Sequence, residues 1–292
     1  MVNLRTRGEK IFDVCNIIFM LLLAVCFVYP LWHCVALSFG NVAYSNQLGF
    51  RFFPFGEYFS LMSYERVLTD SAIQTGYLNT LFRVVLGVPI TLAVTYMAAY
   101  TMARDGLPFY KVLVIYFLIP MFFSGGLIPG YLNIQSLGLL GSRWVWILPG
   151  VISTYNLLVA KNFVAALPRE LEEAACIDGA HPVRVMTQIM LPLSAPILAV
   201  LGLWSAVGHW NSWFDAMIYT PGEDKMVLQL ALRRLLIDPP DAMMNTIITV
   251  SESTTETIKM ASVIVALVPI MCVYPFVQKH FTKGVLLGGI KG

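Results

Sequence analysis

The polar residues of this chain that could bind a ligand are concentrated in two otherwise apolar stretches. One stretch carries tryptophans, a histidine, an amide and a carboxylate, at Trp204, His209, Trp210, Asn211, Trp213 and Asp215. The other stretch opens with Asn79 and Arg83. Polar groups in such stretches usually face a cavity or a neighbouring helix, because burying them elsewhere is costly. The chemistry that these side chains predict is stacking and hydrogen bonding, which is the chemistry of binding.

Motifs for catalysis, metal binding or phosphate binding do not occur in the sequence. It contains no HExxH or GxSxG element, no CxxC pair and no GxxxxGK[ST] loop. We therefore expect that this chain is not an enzyme and that it binds no metal and no cofactor. The formal net charge is +2, from 19 basic and 17 acidic residues, which gives no case for a nucleic acid as a partner.

Composition indicates which elements must position the polar residues. Of the 292 residues, 58% are apolar and 12% are charged, and the mean hydropathy is +0.72. A soluble domain carries about a quarter charged residues. Charge-free runs long enough to cross about 30 Å of hydrocarbon predict six spans, near 14–37, 77–103, 111–132, 144–166, 186–219 and 260–279. Because these runs lack period-two alternation, we predict an all-α integral membrane protein of the lipid bilayer.

Basic residues predict the orientation of the chain. The segments that would be inside, 1–13, 104–111, 161–184 and 279–292, carry 11 Lys or Arg in 59 residues, against 7 in 88 for the outer segments. This asymmetry favours both termini in the cytoplasm. The first apolar run lacks a small-residue cleavage site, which favours an uncleaved span over a signal peptide.

The segment between the fourth and fifth spans, 167–192, carries the strongest local signals. Glu170, Glu172 and Glu173 suit the first turn of a helix, where they complement the helix dipole. Gly179 suits the left-handed residue that ends a helix, and Pro182 suits the start of another. The segment is therefore predicted to form two short helices around a sharp turn, projecting from the membrane.

The spacing within this segment goes beyond helix capping. The segment contains Glu173-Ala174-Ala175, then Gly179 after three residues, Ile189 after nine more, and Leu191-Pro192 after one more. This pattern resembles the EAA loop of permease subunits from binding-protein-dependent ABC importers. The resemblance implies that 173–179 is a coupling helix, which docks in a cleft of a separate ATPase subunit, and that the last three motif residues brace it.

The C-terminal segment extends the resemblance. Residues 274–292 are similar to the tail of the maltose-type carbohydrate permeases, especially the subgroup serving acidic oligosaccharides such as aldouronate or alginate fragments. The resemblance implies that this tail, with Lys283, Gly284 and Lys291, lies along the ATPase interface. It further implies a heterodimer with a second six-span permease, two ATPases that use ATP and Mg²⁺, and an extracellular or periplasmic binding protein. The location would be a bacterial cytoplasmic membrane, and the substrate an oligosaccharide.

Under this resemblance, the polar residues of the two apolar stretches would line a sugar path. Sugars are commonly held by aromatic faces and by amide or carboxylate hydrogen bonds. The alternative is that Trp210, Trp213 and Asp215 belong to an aromatic belt at the outer membrane interface, to which Arg83 also extends.

A long outer loop, 220–259, is the second place where a partner could bind. Arg233 and Arg234 would contact the binding protein or pair with substrate carboxylates in a bidentate manner. The alternative is that they bind lipid headgroups or an acid of the same loop.

The alternatives to an importer subunit are an ion-coupled secondary transporter and an intramembrane enzyme. An ion-coupled secondary transporter would place ionisable residues within its spans, and 84–103 and 260–278 have none. An intramembrane enzyme would need one of the catalytic motifs that are missing.

Overall fold

The computed structural model describes residues 7–47, 49, 52–104, 106–237 and 255–288. The regular structure of these residues is helical, which confirms the predicted all-α class. The chain divides into two compact units, one of Met1–Asp70 with Arg234–Val268 and one of Ser71–Arg233 with Pro269–Gly292. The described helices, in chain order, are α1 (Arg7–Ser38), α2 (Val42–Ser45), α3 (Met62–Thr69), α4 (Ser71–Ala103), α5 (Tyr110–Phe122), α6 (Leu127–Ser136), α7 (Thr154–Ala165), α8 (Glu170–Ile177), α9 (Pro182–Arg184), α10 (Leu191–Leu193), α11 (Ala195–Asn211), α12 (Phe214–Tyr219), α13 (Leu228–Ile237) and α14 (Thr255–Gly288).

The first unit is organised around the C-terminal end of α1. The Ser38 and Tyr64 hydroxyls lie 2.7 Å apart, and the ring of Phe39 packs on that of Tyr64 with centroids 4.8 Å apart. Ser63 of α3 donates to the hydroxyl of Thr257 in α14 at 2.9 Å. Most apolar side chains of α1 are exposed, as expected of a helix that faces lipid or another chain.

The second unit is built on α4, which packs against α7 and α11. Its buried core includes Ala99 and Met102 of α4, Leu157 and Ala160 of α7, and Leu201 of α11. The alanines at these contacts let the helix backbones approach closely, which is typical of helix packing in membranes. One long helix, α4, therefore packs against both α7 and α11, which carry further polar residues.

Three described helices are long and apolar enough to cross a membrane: Gly8–Ser38, Ser71–Ala103 and Thr255–Cys272. Two bent pairs, Tyr110–Phe122 with Leu127–Ser136 and Pro182–Leu193 with Ala195–Asn211, raise the number to five if each pair is one span. These helices coincide with the predicted spans near 14–37, 77–103 and 260–279, and the pairs cover 111–132 and most of 186–219.

Three of the predicted spans, near 111–132, 144–166 and 186–219, are not single helices. The chain bends by 120° between α5 and α6, where Ser124, Gly125 and Gly126 have weak helix propensity. Over 144–166 the α-helix begins only at Thr154; a 3₁₀ turn, Arg143–Trp146, comes before it, and Pro149 lacks the backbone N–H that a continuous helix would use there. At 12 residues α7 is about 18 Å long, less than the roughly 30 Å of hydrocarbon that a span must cross.

Candidate functional site

Arg83 of α4 lies at the centre of a polar cluster and is 5% exposed. Its Nη1 donates to Asp215 Oδ1 at 3.0 Å, and its Nη2 donates to Asp215 Oδ2. Its Nε donates to His209 Nδ1 at 3.1 Å. Bidentate pairing of a guanidinium with a carboxylate is among the stronger polar contacts in proteins. The pair links α4 to α12, and the third bond links α4 to α11.

The carboxylate of Asp215 is held in place by its own helix turn. The Ser212 hydroxyl and the Ala216 N–H both donate to Oδ1, at 3.0 and 2.9 Å. Asp215 lies in the first turn of α12, where a negative charge is favoured by the helix dipole. These contacts fix the carboxylate in the orientation that Arg83 meets.

His209 completes the cluster as a neutral acceptor. Since its Nδ1 accepts from Arg83, the ring carries its proton on Nε2. Gly87 makes room for the ring, because a Cβ at that position would lie 2.6 Å from His209 Nε2. A glycine is therefore required where α4 passes the imidazole.

The cluster lines a cavity of about 470 Å³ between α4, α7, α11 and the segment 145–153. The uncharged polar and aromatic residues of the lining are Thr91, Trp146, Ser153, Asn156, Ser205, Ser212 and Tyr219. Among the described residues that line it, Arg83 and Asp215 are the charged ones, and they neutralise each other. The cavity therefore offers hydroxyls, an amide and aromatic rings to a ligand, with a balanced ion pair at one side.

The cavity lining is itself held by polar contacts. The Trp146 indole N–H donates to the Thr220 hydroxyl at 3.1 Å, which in turn donates to the Ala216 carbonyl at 2.9 Å. The Tyr219 ring stacks on Tyr131 with centroids 6.0 Å apart. Two aromatic side chains are thus fixed at the cavity before any ligand arrives.

The other polar residues predicted for a ligand path lie outside this lining. Trp204 is exposed and packs on the Tyr155 ring, with centroids 5.7 Å apart. Trp210 is buried with its ring edge-on to Tyr77. Asn211, the last residue of α11, is exposed. Of the predicted set, the structure brings Arg83, His209 and Asp215 to the cavity.

Asn79 has a scaffolding contact. It is 2% exposed, and its Nδ2 donates to the Asp224 carbonyl at 3.0 Å and the Met226 carbonyl at 2.7 Å. The neighbouring Thr80 hydroxyl accepts the Leu228 N–H at 3.0 Å. These bonds hold the beginning of the long loop onto α4, so Asn79 acts in loop placement.

The two arginines of that loop lie on α13 and are exposed. The Arg233 guanidinium is 4.2 Å from the centroid of the Trp213 ring, a cation–π contact. Two residues predicted for different roles are therefore neighbours. The remaining loop residues, 238–254, lie outside the described part of the chain.

The segment 167–192 has the predicted two-helix form. α8 is followed by Gly179 with φ +78°, and the Ala180 N–H closes the turn on the Ala175 carbonyl at 2.9 Å. α9 begins at Pro182, and a π-helical turn, Val185–Met190, leads to α10.

The motif residues of this segment divide between the surface and the interior. Glu173 and Ala174 are exposed, as is Pro192. Ala175, Ile189 and Leu191 pack against a buried cluster that includes Tyr96 and Tyr100 of α4. Of the two motif alanines, Ala174 is therefore available to a partner, whereas Ala175 faces the protein interior.

Curated relatives cover nearly the whole chain. Protein LplC of Bacillus subtilis (strain 168) is 38% identical over 98% of this chain and 97% of its own length. The polygalacturonan/rhamnogalacturonan transport system permease protein YtcP of the same strain is 36% identical over 97% and 99%. The chain belongs to the family of carbohydrate ABC importer permeases. No family model matches it.

Solved structures agree with this membership. A chain of a bacterial ABC transporter involved in the import of the acidic polysaccharide alginate matches the permease with a TM-score of 0.90 and 29% identity, over 96% of this chain and 100% of that one. A chain from a bacterial alginate ABC transporter in complex with an alginate pentasaccharide-bound periplasmic protein shares the fold, with a TM-score of 0.56 and 15% identity over 93% and 96%.

Family membership decides between the classes that the sequence left open. The relatives are components of transport systems, so the permease is a transport subunit and not an enzyme, as predicted. The ion-coupled secondary transporter is not supported. The tail remains a prediction: the backbone is helical through Gly288, which includes Lys283 and Gly284, and Lys291 lies outside the described residues.

Several residues of the cavity were missed from the sequence. Trp146, Asn156 and Tyr219 lie in the predicted spans 144–166 and 186–219, where single polar or aromatic residues are common. A usable signal was present for Ser153 and Asn156, which are polar positions in a charge-free run. The helix break before Thr154 brings that run to the cavity edge, and the sequence does not show this break clearly.

Proposed function

We propose that this permease moves oligosaccharides, including chains that contain uronic acid units, from an extracellular or periplasmic binding protein into the cytoplasm. It would act in a bacterial cytoplasmic membrane as a heterodimer with a second six-span permease. Two ATPase subunits would supply the energy and bind the ATP and Mg²⁺. The relatives named for polygalacturonan, rhamnogalacturonan and alginate support an acidic sugar.

The cavity beside Arg83 is the observation that carries the proposal. Its hydroxyl groups, the Asn156 amide and the rings of Trp146 and Tyr219 suit a ligand with many hydroxyls and apolar ring faces. A path for sugars needs such groups in numbers, with none binding strongly enough to trap the ligand. The described lining has this character.

The ion pair in the lining bears on the charge of the sugar. Arg83 holds the Asp215 carboxylate in the bidentate geometry that a uronate would also adopt. Because Asp215 already balances the charge, neutral sugar units meet a neutral cavity. A uronate unit would bind by sharing or replacing the contact that Asp215 makes.

The segment 167–192 supports ATPase coupling. α8 exposes the apolar side chains of Leu171 and Ile177, which are 45% and 86% exposed, beside the acidic Glu173. Exposed apolar residues on a short projecting helix are typical of a docking surface. We assign α8 to the ATPase cleft.

The topology we propose has six spans and both termini in the cytoplasm. Three long helices and two bent pairs support five crossings, and α7 with the segment before it would provide the sixth. Short or bent segments are tolerated at membrane depth where protein covers them, and α7 packs against α4, α5 and α11.

The experiment is uptake by the reconstituted importer, with its binding protein and ATPases in proteoliposomes. Labelled oligogalacturonides and alginate oligosaccharides are compared with the same chains after reduction of their carboxyl groups and with maltodextrins. We expect uptake and binding-protein-stimulated ATP hydrolysis with the uronic chains. Uptake of maltodextrins alone would contradict the acidic substrate, and stimulation without any uptake would contradict the transport role.

A matched pair of variants tests the cavity itself. Asn156→Leu removes the lining amide, whereas Asn162→Leu alters an exposed residue of the same helix, α7. Losing one hydrogen bond to the passing sugar should lower uptake by Asn156→Leu up to about tenfold. Asn162→Leu should transport like the unaltered permease. Equal uptake by both variants would place the sugar path elsewhere.

A further inference from the structure

A polar triad of Arg104, Tyr100 and Glu172 joins α8 to the end of α4. Arg104 directly follows α4, and its Nη2 donates both to the Glu172 carboxylate and to the Tyr100 hydroxyl. The Tyr100 hydroxyl donates to the Glu172 Oε1 atom at 3.0 Å. The guanidinium carbon lies 4.5 Å from the Tyr100 ring centroid. Each of the three side chains therefore contacts the other two.

The triad is more sheltered than an ordinary surface ion pair. The side chain of Arg104 is 37% exposed and that of Glu172 is 20% exposed. The cation–π contact with Tyr100 fixes the plane of the guanidinium, which reduces the entropy lost on pairing. Of the acidic residues in the first turn of α8, Glu172 is the half-buried one, while Glu170 and Glu173 are exposed.

A second contact attaches the same segment to α4 on another side. The Tyr96 hydroxyl donates to the Met186 carbonyl at 2.8 Å, within the π-helical turn. Val185 and Met190 of that turn are buried against Tyr96 and Tyr100. π-helical turns are rare and occur often at functional sites. Both helical parts of 167–192 are thus fixed to one helix.

We infer that the Arg104–Tyr100–Glu172 triad is the link through which movement of α8 reaches the sugar cavity. α4 is continuous between the two sites, and Arg83 and Arg104 are 21 positions apart, about 30 Å along a helix. α4 runs through Pro89 without a break, so a displacement of α8 would be carried along α4 and would shift Arg83 relative to Asp215. The inference rests on the proposed docking of α8 on an ATPase, and it adds the residues that carry the movement onward.

Coupling is measured as sugar molecules imported per ATP hydrolysed, with loaded binding protein in proteoliposomes. Tyr100→Phe removes only the hydroxyl, Glu172→Gln removes the charge, and Glu65→Gln, at an exposed residue of α3 and not of α8, is the control. We expect the first two variants to lower the ratio by about two- to fivefold, the effect of a partly sheltered pair, while ATP hydrolysis continues. The control should keep the normal ratio. A normal ratio of sugar imported to ATP hydrolysed in both Tyr100→Phe and Glu172→Gln overturns the inference. If Glu172→Gln does not assemble, the result for Tyr100→Phe decides.

Two further comparisons test the Arg104–Glu172 charge pair and the docking of α8 separately. Combining Glu172→Arg with Arg104→Glu should give a higher ratio than Glu172→Arg alone, because the pair is restored with reversed charges; no gain contradicts the link. Glu173→Lys alters the exposed docking surface and should weaken ATPase binding itself. Normal ATPase binding and transport by Glu173→Lys would refute the docking of α8. If Glu173→Lys impairs ATPase binding but the variants of Tyr100 and Glu172 keep the normal ratio, only the link is refuted.

Discussion

Replacing Asp215 by alanine should destabilise the permease, because it leaves the Arg83 guanidinium buried without its carboxylate. Arg83 is 5% exposed, and the side chain of Asp215 is 22% exposed. Removing one member of a buried ion pair costs about 3 to 5 kcal/mol. The cavity next to Asp215 can admit water to the freed guanidinium, so we expect a cost at or just below the low end of this range, about 2 to 3 kcal/mol.

The double variant Arg83→Met/Asp215→Ala isolates the part of this cost that comes from pairing. With both charges removed, no uncompensated charge remains, and such replacements are often close to neutral. We expect the double variant to be more stable than Asp215→Ala alone. Its stability should differ from the sum of the two single changes by about 2 kcal/mol, as is common for residues in direct contact.

The assay is unfolding of the purified permease in mixed micelles by increasing SDS, followed by circular dichroism and tryptophan fluorescence. Asp178→Ala, a change at an exposed carboxylate, serves as the control and should stay within about 0.5 kcal/mol of the unaltered chain. Two results would refute the reasoning: an Asp215→Ala midpoint equal to that of Asp178→Ala, or a double variant less stable than Asp215→Ala.

Three further changes test the coupling turn, the loop arginine and the topology. Gly179→Val should lower uptake because a β-branched residue at φ +78° is strained by about 1 to 3 kcal/mol. Gly179→Asn should transport normally, since asparagine tolerates this conformation. Similar uptake by both variants would argue against a role of this turn in transport. Arg233→Ala should reduce binding-protein-stimulated ATP hydrolysis but leave basal hydrolysis intact, and Arg233→Lys should retain part of the effect through the Trp213 ring; unchanged stimulation in Arg233→Ala would exclude this arginine. In a cysteine-free background, Ser60→Cys should react with an impermeant thiol reagent outside sealed cells and Ala180→Cys should not; labelling at position 180 would reverse the orientation.

The features that the sequence predicted well depend on short-range patterns. Gly179 and Pro182 have clear positional meanings in helices, and the structure places a left-handed turn at one and a helix start at the other. The long apolar runs at 14–37 and 77–103 likewise coincide with continuous helices, because hydropathy over about 20 residues is a strong local signal.

Helix breaks inside apolar runs were harder to predict. Pro89 lies within α4 without ending the helix, whereas Pro149 precedes a helix that begins only at Thr154. Proline removes a backbone donor in both places, and a helix tolerates this where neighbouring groups packed against it satisfy the freed carbonyl. Such packing depends on residues far away in the chain.

The same limit explains which polar residues could be assigned to the site. Arg83 and Asp215 are 132 positions apart, and their pairing depends on the packing of α4 against α11, the helix that precedes α12. From the sequence each was a polar residue near a membrane interface, with contact to a sugar as one of two open interpretations. Asn79 shared that description, yet it holds a loop in place.

The Arg83–Asp215 ion pair in the cavity lining also bears on the proposed transport of acidic sugars. An unpaired arginine would hold a uronate strongly, and a transporter that must release its substrate gains nothing from a tight site at mid-path. With Asp215 as an internal competitor, a uronate gains only the difference between two similar bidentate contacts. The permease could then admit acidic and neutral sugar units of one chain in turn. On this reasoning Asp215→Asn should slow the release of uronic chains more than that of their carboxyl-reduced counterparts, which single-turnover uptake of the two chains would measure, and equal effects on both would rule out competition at Arg83.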